Sequence, residues 1–148
     1  MTRVDPAAQS AFSSSAADTY SLARPALLFG DDSAALSSTS ALLDAASVRL
    51  ADQTSIADAA NRLDQQIAVG LVWLECGATI PSDGLLDRLA RLAETGEAAV
   101  VACASPSLID LLYARLDQGG PQILIDPDDN QRAAALAVAL ARADRSSR

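Results

Sequence analysis

The chain has 148 residues, half of them apolar, and a formal net charge of −8; all eleven cations are Arg, with no Lys and no His. That length predicts one domain, and the scarcity of aromatics (Trp73, Tyr20, Tyr113, Phe12 and Phe29) predicts a core of Leu, Val, Ile and Ala. An acidic balance with dispersed Arg excludes direct contact of this segment with nucleic acid or an anionic membrane, and the missing Lys excludes a Schiff-base amine or a phosphate-binding ammonium.

Met1 to Arg24 is rich in Ser, Ala and Asp and reads as a flexible N-terminal arm. It has no apolar run of signal-peptide length, and no segment reaches the ~20 apolar residues of a membrane span; the expectation is a cytoplasmic protein. Cys76 and Cys103 form no CxxC and no disulfide framework, so they read as buried small hydrophobes.

The ordered part is expected over 25–144. Ala26 to Phe29 is a short strand ending at Gly30, Asp31 and Asp32. Ala34 to Ala46 is a helix with Ser33 or Asp32 as its N-cap. Val48 to Ala51 is a second strand, and Ile56 to Gln65 a helix capped by Thr54 or Ser55. Ile67 to Leu74 is almost continuously apolar, as in a strand buried on both faces of a parallel sheet; Glu75 to Pro81 reads as loop.

Asp83 to Glu94 is an amphipathic Leu-rich helix stopped by Gly96. Ala98 to Ala104 is a fourth strand. Ser105-Pro106 supplies an N-cap and N1 pair for a helix running to Leu116, ended by Gly119-Gly120. Gln122 to Ile125 is a fifth strand, and Asp128 or Asp129 caps a final helix to about Ala143. The polar residues 145–148 read as the start of a linker. Five β-then-α units predict a doubly wound α/β fold with five parallel strands and five helices, whose ligands bind at the carboxyl ends of the strands.

At those ends stand Asp31, Asp32 and Glu75, oxygen donors of the kind Mg²⁺ prefers; Asp31 and Asp32 are equally explained as acidic caps at a helix N-terminus. The segments LLFGDDS, WLECGATIPSDGLLDRLARL and ILIDP together resemble a response-regulator receiver domain over about residues 25–144. The resemblance implies a flavodoxin-like fold. It also implies a site in which an acidic pair holds Mg²⁺, a strand-three Asp accepts a phosphoryl group, a strand-four hydroxyl bonds it and a strand-five Lys pairs with it. The acidic pair is matched by Asp31 and Asp32, and Pro81, Asp83 and Gly84 recur with slightly altered spacing.

The departures are larger than the matches. Glu75, or Gly77 by counting back from Pro81, stands at the phosphoacceptor position. Asp126 stands at the receiver lysine position, and Ser105 is the one hydroxyl among the strand-four candidates Cys103, Ala104 and Ser105. The resemblance therefore implies a pseudo-receiver without phosphoryl chemistry, and no enzyme; a Glu in place of the acceptor Asp can also mimic a permanently charged state. GxGxxG and P-loop signatures are absent. The last helix is apolar nearly all round, and Leu136, Val138 and Leu140 are its candidates for a homodimer interface. The expected role is the regulatory and dimerisation module of a bacterial transcription regulator, with a C-terminal DNA-binding output domain beyond this segment and no cofactor. The alternative is a small-ligand or divalent-metal sensor, with Mg²⁺ at the acidic strand-end cluster.

Overall fold

A computed structural model describes residues 24–65, 68–116 and 120–146; the arm before Arg24, Ile67, Gly119 and the last two residues of the expected linker lie outside them. The described strands are β1 (Ala26–Gly30), β2 (Leu50–Thr54), β3 (Leu71–Gly77), β4 (Ala99–Ala104) and β5 (Gln122–Ile125). The described helices are α1 (Ser33–Ala45), α2 (Ala59–Gln65), α3 (Asp83–Thr95), α4 (Ile109–Leu116, entered through a 3₁₀ turn, Pro106–Leu108) and α5 (Asp129–Ser146). All strand pairs are parallel, in the order β2-β1-β3-β4-β5.

Each face of the sheet is covered. Leu27, Phe29, Val72, Leu74, Val100 and Ala102 pack under α2, α3 and α4, through Leu63, Leu85, Leu86, Leu89 and Leu112. Ala26, Leu28, Trp73, Val101 and Cys103 pack under α1 and α5, through Leu43, Ala135, Leu136 and Ala139. This two-sided burial is why β1 and β4 read as unbroken apolar runs. Full burial of each large side chain such as Phe29 or Leu112 contributes about 1.5–3 kcal/mol.

The caps explain where the helices begin. Asp32, not Ser33, caps α1: its carboxylate accepts from Ala34 N at 3.0 Å. The Ser82 hydroxyl accepts from Leu85 N at 3.2 Å at the start of α3, and Gly96 ends that helix in the left-handed region at φ 77°, as a C-terminal glycine does. Asp128 and Gln131 form a reciprocal box at the start of α5, each side chain accepting from the other's backbone N–H at 2.8 Å.

The bounds of four elements differ clearly from the sequence expectation. β3 begins at Leu71 and continues through Glu75 to Gly77, because the Glu75 carboxylate is fully bonded inside the protein and does not force the chain out to water. β2 lies at Leu50–Thr54 rather than Val48–Ala51: Val48 N is spent on Leu43 O at 2.8 Å, closing α1, and an edge strand tolerates the polar Asp52 and Gln53. α2 starts at Ala59, after a turn over 56–58 in which Ser55 and Asp58 bond each other. The last helix runs past Ala143 to Ser146, so residues 145 and 146 are helical rather than linker.

Candidate functional site

The carboxyl end of β3 is the centre of the site. Gly30 of β1 lies in register with Glu75, and Glu75 with Cys103 of β4. Backbones are close here: a Cβ on Gly30 would meet Leu36 Cδ2 at 2.8 Å and Glu75 O at 3.0 Å. Beyond Glu75 the β3–β4 register slips, Gly77 turns the chain at φ 57°, and its carbonyl accepts from Ser105 N at 2.8 Å.

Glu75 is only 3% exposed. Strand alternation points it with Trp73 toward α1 and α5, and four donors meet it there. Thr39 Oγ1 donates to Oε2 at 2.6 Å and Trp73 Nε1 to the same oxygen at 2.7 Å. Arg132 of α5 donates from Nε to Oε2 at 3.0 Å and from Nη2 to Oε1 at 3.0 Å. This is a forked guanidinium–carboxylate pair, the strongest form such pairs take. Arg132 Nη1 also donates to Pro127 O at 3.1 Å. The hydrogen bond to Glu75 raises the Arg132 pKa above its ordinary value, so the guanidinium stays charged. The charge that sequence placed at Glu75 is therefore neutralised within the protein.

Both thiols are free and buried beside this pair. Burial, and then the Glu75 charge, push Cys76 up to about 12 and Cys103 higher still. Neither is poised as a nucleophile, which needs a depressed pKa.

Over Glu75 and Arg132 opens a cleft of about 250 Å³, lined also by Asp32, Ser105, Asp126 and Pro127. Asp126 is exposed and holds a left-handed backbone, φ 46°, which Asp adopts at lower cost than most residues; its N–H donates to Ala104 O at 2.9 Å. Ser105 precedes the 3₁₀ turn, yet its hydroxyl makes no cap and instead pairs with Ser107 Oγ at 2.7 Å. The cleft presents three carboxylates to one guanidinium.

The residues present do not suit Mg²⁺. Asp32 spends one carboxylate oxygen on its helix cap, both Glu75 oxygens are held by Arg132, and no group of three or more Asp, Glu, Cys or His side chains among the described residues is arranged to hold a metal ion. Asp31 and Asp32 reach the strand end as expected, but Arg132 already supplies the positive charge facing Glu75.

Arg132, Thr39 and Trp73 were not singled out from sequence, and two of them left a signal there. Arg132 is a cation in the first turns of a helix, where the helix dipole disfavours it; its position called for an anion. Thr39 is a polar residue on the Leu36–Leu43 stripe that α1 buries. Of the dimer candidates on α5, Leu136 is buried at 5% exposure against its own sheet, Leu140 is half-buried there, and Val138 is exposed. Leu136 is thus consumed by the core and is corrected as an interface residue: the 3.6-residue period turns it, with Ala135 and Ala139, toward Trp73 and Val101.

The chain matches no protein-family model and no curated protein. Its fold has clear counterparts among solved structures. An uncharacterized protein from Neptuniibacter caesariensis superposes with a TM-score of 0.64 at 18% identity, over 81% of this chain and 89% of that one. The response regulatory domain of protein mrkE from Klebsiella pneumoniae gives 0.64 at 12% identity, over 82% and 98%. The signal receiver domain of an HD domain-containing protein from Pseudomonas fluorescens Pf-5 gives 0.62 at 20%, over 82% and 98%. At these identities the similarity establishes the fold alone: the chain has a receiver-like fold of flavodoxin-like topology. Among its described residues no helix is long and apolar enough to cross a membrane.

Proposed function

We propose that the chain is a signalling module that works without a phosphoryl group, the regulatory half of a bacterial transcription regulator whose DNA-binding output domain follows this segment. The observation that carries the reading is the Glu75–Arg132 fork. A carboxylate must leave its partners to attack phosphorus, and this one would give up two guanidinium bonds, a hydroxyl and an indole N–H. An incoming phosphoryl donor would also meet Asp32 and Asp126 in the cleft, with no Lys in the chain to offset them. The module acts through contacts and catalyses nothing.

The test is incubation with acetyl phosphate and Mg²⁺ followed by phosphate-affinity electrophoresis and intact mass. The expected result is one unshifted band with no added phosphoryl mass; a shifted band that disappears in E75Q overturns the proposal.

Self-association is part of the reading. The exposed apolar side chains Ile109 and Tyr113 on α4, and Val138 on α5, stand on the two helices that contact edge strand β5. Burying them against a second copy would form a two-fold dimer. Sedimentation at increasing concentration should show a dimer that V138E weakens; a monomer at the highest concentration removes dimerisation from the proposal.

A further inference from the structure

A second cleft, about 480 Å³, opens at the amino ends of the strands, beside the residues that lead into β3 and β4. Its floor is apolar: Leu63 and Val69, which belong to the core, and Leu92 of α3. Its rim carries three guanidinium groups, Arg24, Arg88 and Arg91, against a single carboxylate, Glu97. Arg88 pairs with Asp64, and Arg24 Nη1 donates to the Glu97 backbone carbonyl at 3.2 Å, a neutral acceptor. Arg91 is exposed and has no side-chain partner among the described residues.

Three of the eleven arginines of a chain with net charge −8 thus converge on one cleft. Like charges held together repel, and an anion placed between them relieves that repulsion. A guanidinium is a planar fork that fits carboxylate or phosphate oxygens two at a time. The cleft volume falls within the roughly 300–1,000 Å³ of small-molecule sites.

We infer that this cleft binds a small amphiphilic anion, its carboxylate or phosphate head among Arg24, Arg88 and Arg91 and its apolar body on Leu63, Val69 and Leu92. The ligand lies at the opposite end of the strands from Glu75 and is independent of the phosphoryl-free reading of that site.

The experiment titrates the full chain with sodium octanoate, octyl phosphate and, as the uncharged control, 1-octanol, following the melting temperature and the backbone amide NMR spectrum. Octanoate, octyl phosphate or both should raise Tm saturably and move the amides of Val69 and Leu92, with octanol inert. The stronger of the two anions identifies the head group. R91A should weaken anion binding at least tenfold, while R49A, an exposed arginine in the separate groove between α1 and β2, should leave it unchanged. No saturable shift with either anion, octanol matching them, or R91A binding like the wild type would each overturn the inference.

Discussion

Replacing Arg132 by Met removes the cation from a carboxylate that pairs with no other among the described residues. Met keeps most of the aliphatic stem, so the packing of α5 on the sheet is largely preserved and the change is mainly electrostatic. The Arg132 side chain is 12% exposed and that of Glu75 3%, which places the pair among buried ion pairs rather than surface ones. Breaking a buried pair from one side costs about 3–5 kcal/mol, because the remaining charge is left without compensation. Thr39 and Trp73 still donate to Glu75, which sets the expectation near the lower end, about 3 kcal/mol. Against a total of about 5–15 kcal/mol for a domain, that is a large fraction. It corresponds to a melting temperature lower by roughly 6–12 °C for a chain of this size. The assay is urea unfolding of wild type, R132M, E75Q and the double variant. The double variant should recover about 2 kcal/mol relative to the sum of the two single changes, the coupling of groups in direct contact. A loss in R132M below about 1 kcal/mol, the value of an exposed pair, would refute the argument that this fork is buried and structural.

Other consequences follow from the same region. Cys76 is pushed from 9.0 to about 12 and Cys103 further, both first by burial; a thiol-specific disulfide reagent at pH 8 should therefore leave the folded chain unmodified and titrate two thiols only after denaturant. The same shifts fix a sign. Above pH 9 the unfolded thiols release protons that the folded ones keep, so stability should fall as pH rises from 9 toward 12, by up to about 1.4 kcal/mol per pH unit for each thiol; a flat denaturation midpoint across that window contradicts the burial. Gly30→Ala puts a Cβ 2.8 Å from Leu36 and 3.0 Å from the Glu75 carbonyl, so it should cost about 1–3 kcal/mol as an overpacking change, measured by chemical denaturation; a neutral G30A would show that β1 and β3 can separate freely at the site.

The layered architecture was legible in the sequence because each element carried its own signal. Unbroken apolar runs marked β1 and β4, and Gly96 and the cap at Asp128 or Asp129 marked helix ends. β3 was misplaced toward its start. Sequence treats a Glu as a strand terminator, and only the spatial meeting of Thr39, Trp73 and Arg132 makes a buried carboxylate tolerable there. That meeting joins residues 39, 75 and 132, separated by 36 and 57 positions, and no local pattern encodes it. The same limit applies to the acidic cluster. Asp31, Asp32 and Glu75 are neighbours at strand ends, as the topology requires, but whether they face a cation from solvent or from α5 depends on a side chain fifty-seven residues downstream of Glu75. Leu136 failed as a surface residue for the opposite reason: an Ala-rich helix is apolar on every side, so composition alone does not tell its inner stripe from its outer one.

The indole of Trp73 is the only one in the chain. It is fully buried, and its N–H is tied to the oxygen that also receives Thr39 and Arg132. The protein therefore carries a built-in fluorophore wired to its strand-end carboxylate. Any event that swings α5 away, whether a partner, a second copy or a neighbouring domain, changes the electric field along that ring and hence its emission maximum. A movement of α5 can therefore be followed by ultraviolet light on the unlabelled chain, in real time and in the presence of added proteins that lack tryptophan.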